Sequence, residues 1–321
     1  MTARQLWFTG PEKVEVRNIE IAEPQDGETE IKTLLCGISS GTESLLWHGD
    51  FPKGINLDES IPSLRRPAEY PCPYGYNLIG TKSDGEDLVL AFHPHADRAV
   101  VGSNAWLALP RHWEPERAVL LPNTETALGI IHDAVPRLGE RIIVIGLGVV
   151  GLLCLSMLAE YPLEKLIGVD IRESRRNRAR KIKGTVIMDP DELAGDPVFG
   201  DADRVIEVSG NPKGLQTAVD AAGYDGRIVI GSWYGGKDVR LDLGPAFHRR
   251  RQHIISSQVS TLAPELRGRW THERRFHSAV DWLERNGDPE WVTHSFRLDN
   301  AGDAYRLIDS REDSLQIVLK P

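Results

Sequence analysis

The chain has 321 residues, a formal net charge of −9, and 40% hydrophobic and 26% charged residues. This is a globular composition with room for two domains of ordinary size. The acidic balance excludes nucleic acid as the main partner, because phosphate binding needs a surface excess of Lys and Arg. No stretch reaches the ~20 apolar residues of a membrane span, and the opening "MTARQLWFTG" lacks the apolar run of a signal peptide.

Up to about residue 120 the text is strand-like and broken by Gly and Pro. "KVEVRNIEI" and "GETEIKTLLCGI" alternate or run apolar over strand lengths, and "GEDLVLAFHP" and "HADRAVVGS" continue the pattern. The segment 50–73 has no period and is expected to pass over the surface as a long functional or mobile loop. Cys36, Cys72 and Cys154 are too widely spaced for a disulfide framework or a metal knuckle, so a reducing cytoplasm is the expected compartment.

From about residue 124 the pattern changes. "RIIVIG", "KLIGVD", "TVIMD", "DRVIEVSG", "RIVIGS" and "HIISSQ" are buried strands, with helical stretches at 149–160, through the arginine run 172–181 and in "NPKGLQTAVDAAG". Alternation of this length predicts an α/β fold with a doubly wound parallel sheet covered on both faces. After residue 270, Thr271 is placed to cap a helix running to Asn286, with Gly287 as its stop, and Asp299 to cap another. These last elements leave the α/β alternation and are assigned back to the first domain. The expected division is 1–123 with 268–321, and 124–267.

"VIGLGVVG" supplies Gly146, Gly148 and Gly151 in G-x-G-x-x-G order between strand and helix, with Leu147, Val149 and Val150 in the same turn. Gly146 permits the tight turn, Gly148 lets backbone approach a pyrophosphate, and Gly151 lets helix and strand pack closely. Asp170 ends the next strand, where a carboxylate accepts from both ribose hydroxyls and repels a 2′-phosphate, so NAD is favoured. Arg172, Arg175 and Arg176 leave NADP open, since arginines accommodate that phosphate. Ser209 and Ser232, with Trp233 and Tyr234, follow later strands at the carboxyl ends that border a cofactor crevice.

These motifs resemble the medium-chain dehydrogenase/reductases of the alcohol dehydrogenase type over nearly the whole chain. The resemblance rests on "GISSGTESLLWHGDFP", "YPCPYGYNLIG", "AVLLPNTETALGII", "VIGLGVVG", "VIEVSGNP" and "IVIGSWYGG". "GTESLLW" is most similar to the branch containing bacteriochlorophyllide dehydrogenase. The resemblance implies a Rossmann domain inserted in a β-rich GroES-like catalytic domain, and a homodimer.

Zinc-using members of that family carry a cysteine, a histidine and a cysteine or glutamate at positions matching Ser39 or Ser40, Tyr76 and Pro122 here. Serine, tyrosine and proline do not make a zinc site, and the structural four-cysteine lobe is missing, so no metal is expected. Tyr76 is expected to bind the reacting oxygen as general acid/base, with Glu43 orienting it and Thr42 relaying a proton; Thr126 matches the nicotinamide contact. Glu125 is readable as a proton acceptor or as a helix N-terminal acid, while His48, His93 and His95 are held in reserve. The expected activity is zinc-independent hydride transfer between NAD(H) and a small secondary alcohol or ketone. The alternatives are an NADPH-dependent enone or quinone reductase and a non-catalytic nucleotide-binding protein.

Overall fold

A computed structural model describes residues 1–321 except 84, 288, 311 and 312. The chain opens with β1 (Thr2–Gly10), β2 (Lys13–Glu20), β3 (Glu28–Ile38) and the helix α1 (Ser40–His48). Short strands follow: β4 (Cys72–Pro73), β5 (Leu78–Lys82), β6 (Leu88–Ala91), β7 (Arg98–Gly102) and β8 (Trp106–Ala108), then α2 (Pro115–Ala118) and α3 (Leu121–Ala134). The alternating region runs β9 (Arg141–Ile145), α4 (Val149–Leu158), β10 (Lys165–Val169), α5 (Glu173–Ala179), β11 (Val186–Met188) and α6 (Pro190–Ala194). It continues with β12 (Ala202–Glu207), α7 (Pro212–Ala221), β13 (Ala222–Ile230) and β14 (His253–Ser256). The last elements are α8 (His272–Asn286), β15 (Val292–Arg297), α9 (Ala301–Asp309) and β16 (Gln316–Lys320). Among the described residues no helix is long and apolar enough to cross a membrane.

Two compact units result: Met1–Pro122 with Arg285–Pro321, and Asn123–Glu284. In the first, a mixed sheet runs β15-β16-β3-β5-β6-β8 with β7 also on β3, and a small sheet runs β2-β1-β4. Antiparallel pairing of Val318 with Gly37 sets the end of the chain beside the stretch leading into α1. The core beneath gathers Phe8, Ile31, Ile38, Trp47, Tyr74 and Tyr305; Tyr305 stacks on Trp47 with ring centroids 5.3 Å apart.

The segment 50–73 departs from the expected surface excursion. Phe51, Leu57, Leu64 and Cys72 are buried in the core. Leu57 N–H donates to Arg66 O (2.9 Å) and Ala68 N–H to Ile55 O (3.0 Å), closing the segment on itself. Asp58 accepts from the N–H groups of Ser60 (2.6 Å) and Ile61 (2.9 Å). Four apolar anchors make this a fitted strap; a window with no period conceals anchors spaced by a turn-rich path.

The second unit is a parallel sheet in the order β11-β10-β9-β12-β13-β14, the doubly wound arrangement that places ligand sites at the carboxyl ends of its strands. Ile143 pairs with Ile167 on one side and Val205 on the other, and all three are fully buried, as strands covered on both faces must be. The chain passes directly from α7 into β13 at Ala222, so Gly223 lies in the strand and does not stop the helix.

Thr271 caps α8 as expected, its Oγ1 accepting from Arg274 N–H at 3.0 Å. That helix belongs to the second unit, so the return to the first comes at Arg285 and not at 268. Arg275, 3% exposed at its side chain, explains the difference. It donates to Glu125 Oε1 (3.0 Å) on α3 and to the Thr261 carbonyl (2.7 Å). Trp282 Nε1–H adds a bond to Glu160 Oε1 at 2.8 Å. Asp299 does not cap α9: the N-cap is Asn300, which makes no side-chain cap bond, and Asp299 pairs with Arg4. Cys36, Cys72 and Cys154 are free and buried.

Removing one partner of a buried ion pair leaves the other uncompensated and costs about 3–5 kcal/mol. Arg275→Ala is therefore expected to lower the urea midpoint of the second unit strongly. Glu125→Gln keeps an acceptor for Arg275 but leaves its buried charge unmatched, so it should lower the midpoint as well; an unchanged midpoint in Glu125→Gln would contradict the ion-pair account.

Candidate functional site

The glycine-rich turn joins β9 to α4. Gly146 sits at φ +96°, and a Cβ on Gly151 would lie 1.8 Å from Gly146 O, so these two positions admit no side chain. Gly148 is the N-cap of α4, without a side-chain cap bond. The first-turn amides of Val149 and Val150 form the donor-rich terminus that fits a pyrophosphate. Leu147 is fully buried.

Asp170, 6% exposed, ends β10 against this turn. Its Oδ2 accepts from Leu147 N–H (2.8 Å) and its Oδ1 from Arg172 N–H (2.7 Å). A carboxylate has about four acceptor sites, so it retains capacity for two ribose hydroxyls. Arg175 Nη1 lies 3.7 Å from Asp170 Oδ2, and Arg176 Nη1 donates to Asp170 O at 2.8 Å. The arginine run thus closes back on the strand end and does not form a uniformly solvated face.

At the neighbouring strand end, the fully buried Glu207 accepts from Ser209 N–H (2.8 Å), from the Ser209 hydroxyl and from Tyr234 O–H (2.6 Å). Burial and this carboxylate push the Tyr234 phenol pKa far up. Ser232 Oγ accepts from Gly210 N–H at 2.8 Å. Ser209 and Ser232 therefore shape the turns at the crevice, and the oxygen atoms expected to meet a cofactor are bonded within the protein. Trp233 is 42% exposed beside them. Glu207 escaped the sequence reading, although an acid in an otherwise apolar strand was a visible signal.

In the first unit a second buried carboxylate organises the candidate catalytic residues. Glu43, fully buried on α1, accepts from Ser39 N–H (2.7 Å), His95 Nε2 (3.0 Å) and Tyr305 O–H (2.6 Å). Gly75 rests on the His95 ring: at φ +110°, a Cβ there would come within 2.6 Å of the imidazole. Tyr76 follows this turn, half-buried, and donates its phenolic hydrogen to Ser39 Oγ at 2.5 Å. Burial raises the Tyr76 pKa, and its hydrogen bonds with Ser39 and Thr42 oppose the rise. Asn77 is structural, donating to Val119 O at 2.8 Å.

The structure thus joins Tyr76, Thr42 and Glu43 in one cluster, with a correction. Glu43 reaches Tyr76 only through Ser39, because His95 and Tyr305 occupy its other oxygen. Of the reserved histidines, His95 enters the cluster, His93 bonds Pro94 O (2.8 Å) and His48 pairs with Asp309 (3.0 Å). Glu125 fits neither expectation: it lies beyond the first turn of α3, which holds no acid, and its carboxylate is bound by Arg275. Thr126 follows it, half-buried on the same helix.

Zinc requires thiolate, imidazole or carboxylate ligands. Ser39 and Tyr76 offer hydroxyl groups bonded to each other, and Pro122 offers no side-chain donor. Among the described residues no group of three or more His, Cys, Asp or Glu could hold a metal ion. The side chains at the positions matching zinc ligands do not fit that ion.

No family model matches the chain. It is 29% identical over 182 residues to the uncharacterized zinc-type alcohol dehydrogenase-like protein YphC of Escherichia coli (strain K12), covering 53% of this chain and 47% of that protein. It is 26% identical over 183 residues to D-xylulose reductase A of Aspergillus oryzae, covering 55% and 48%. The matches therefore span about half the length of these relatives. An alcohol dehydrogenase (RspB) from Escherichia coli CFT073, complexed with NADH, superposes with TM-score 0.76 at 18% identity, covering 100% of this chain and 99% of that one. At that identity the likeness shows the fold: a parallel Rossmann sheet together with a mixed sheet.

Burial alone would lower the His95 pKa, but the charge and hydrogen bond of Glu43 raise it to about 10. With an unfolded value of about 6.5, this stabilisation is complete below that pH and lost as pH rises through about 10. Wild-type unfolding midpoints should fall more steeply than those of His95→Gln between pH 7 and pH 10. Parallel pH profiles would count against a charged His95.

Proposed function

We propose that this chain is an oxidoreductase that moves a hydride between NAD(H) and a small secondary alcohol or ketone without a catalytic zinc. The observation that carries the nucleotide half is the G-x-G-x-x-G turn with Asp170 at the next strand end. A bound nicotinamide dinucleotide supplies the hydride acceptor or donor. The α4 amides receive its pyrophosphate, Asp170 receives the ribose hydroxyls, and Thr126 meets the nicotinamide end. Arg172 and Arg175 beside Asp170 leave NADP as a second, weaker cofactor.

Tyr76 supplies the proton in reduction and receives it in oxidation, at the position that the family resemblance matches to a zinc ligand. The stretch "GTESLLW" supports placement in a branch resembling bacteriochlorophyllide dehydrogenase, and Ser39 and Tyr76 support its lacking zinc. The names of YphC and D-xylulose reductase A support alcohol–carbonyl chemistry, and the NADH complex of RspB supports the cofactor. Three unpaired thiols fit a reducing cytoplasm, and the family resemblance fits a homodimer.

The purified protein should oxidise a secondary alcohol from a broad panel with NAD, at rates that 1,10-phenanthroline does not reduce. Tyr76→Phe should lower kcat by about 10²–10⁴-fold, the usual share of general acid–base catalysis, with NADH affinity retained. Asp170→Ala should shift preference toward NADP by at least about tenfold, read from the kcat/KM ratio. Stoichiometric zinc whose removal abolishes turnover would refute the zinc-free mechanism, and quinone reduction with NADPH alone would refute the alcohol reading.

A further inference from the structure

Ser39 occupies the N-cap of α1, where a serine oxygen ordinarily accepts from a first-turn amide. Here it makes no such bond. Glu43 instead reaches back to the Ser39 N–H (2.7 Å), while the Ser39 carbonyl accepts from the Glu43 N–H (2.8 Å). This reciprocal hold fixes the serine and leaves its hydroxyl turned to Tyr76, at 2.5 Å. The carboxylate that does the holding is itself clamped by His95 and Tyr305.

The hydrogen inventory is informative. Tyr76 gives its only hydrogen to Ser39 Oγ, and Ser39 Oγ then carries one hydrogen of its own. Both residues are half-buried, and the hydrogen left at the end of this chain of bonds is the serine's. We infer that Ser39 is a catalytic residue that works with Tyr76 as one proton-handling pair, which rests on the alcohol–carbonyl reading above. In reduction the carbonyl carbon receives hydride from the reduced nicotinamide, and the carbonyl oxygen takes the Ser39 hydroxyl proton. Ser39 regains a proton from the Tyr76 phenol, and Tyr76 regains one from solvent. The C=O π bond breaks and one C–H and one O–H bond form; oxidation is the reverse.

The charged and titratable groups facing Tyr76 are Glu43 on α1, Asp58 on the strap and the neighbouring Tyr74. Thr42 also hydrogen-bonds the Tyr76 phenol, so removing the serine leaves that bond in place and takes away only the one that Ser39 makes.

The test compares Ser39→Ala, Ser39→Thr, Tyr76→Phe and the Ser39→Ala/Tyr76→Phe double variant in the full chain. NADH affinity, measured by fluorescence, reports that each is folded. The expected result is a kcat loss in Ser39→Ala of about the size seen in Tyr76→Phe, little further loss in the double variant, and recovery in Ser39→Thr. With ζ-¹³C-tyrosine labelling, the Tyr76 titration should move upward in Ser39→Ala and return in Ser39→Thr. Full turnover in Ser39→Ala, while Tyr76→Phe is inactive, overturns the pair and leaves the dehydrogenase reading standing. Independent, multiplicative losses in the double variant also overturn it. Absence of any alcohol or ketone turnover in the wild type defeats the dehydrogenase reading, and the pair with it.

Discussion

The first unit depends on one saturated carboxylate. A fully buried Glu43 is tolerable only when its charge is matched and its oxygen atoms are bonded. Donors from three separate places meet that demand: a backbone amide at the start of α1, an imidazole from the β6–β7 connection, and a phenol from α9. Each donor also serves its own surroundings. His95 carries the Gly75 backbone, Tyr305 stacks on Trp47, and Ser39 receives Tyr76. The carboxylate is better understood as the anchor of the site than as a proton carrier, because its partners leave it no route to substrate.

The second unit uses the same device at the carboxyl ends of its strands. Asp170 takes the amide of Leu147, and Glu207 takes the amide of Ser209. Both acids pin a turn that backbone sterics alone would leave adjustable. Loops built on rigid strands and tied by charge-assisted bonds are suited to holding a ligand in one geometry.

Much of the nucleotide-type unit was legible in the sequence because its signals are local. A buried strand, a glycine turn and an acid at the next strand end all fall between residues 141 and 170, and the Thr271 cap lies three residues from its amide. What stayed hidden is non-local. His95 and Tyr305 lie 52 and 262 positions from Glu43, and Arg275 lies 150 from Glu125. No periodicity or propensity reports such pairs. The helix α1 was hidden for another reason: it is only nine residues long, and its N-cap Ser39 makes no side-chain cap bond. Asp299 shows the converse error, where a residue suited to capping is taken by a distant arginine.

The placement of the three thiols has a practical consequence. Cys36 and Cys72 lie in the first unit and Cys154 in the second, all buried. Burial pushes the Cys72 pKa up to about 11 and that of Cys154 higher. Since the thiolate is the reactive species, Cys72 and Cys154 stay silent toward alkylating reagents until their surroundings open. The native chain thus carries an intrinsic clock in each half, and mass spectrometry of timed alkylation would reveal whether the halves loosen together or one after the other.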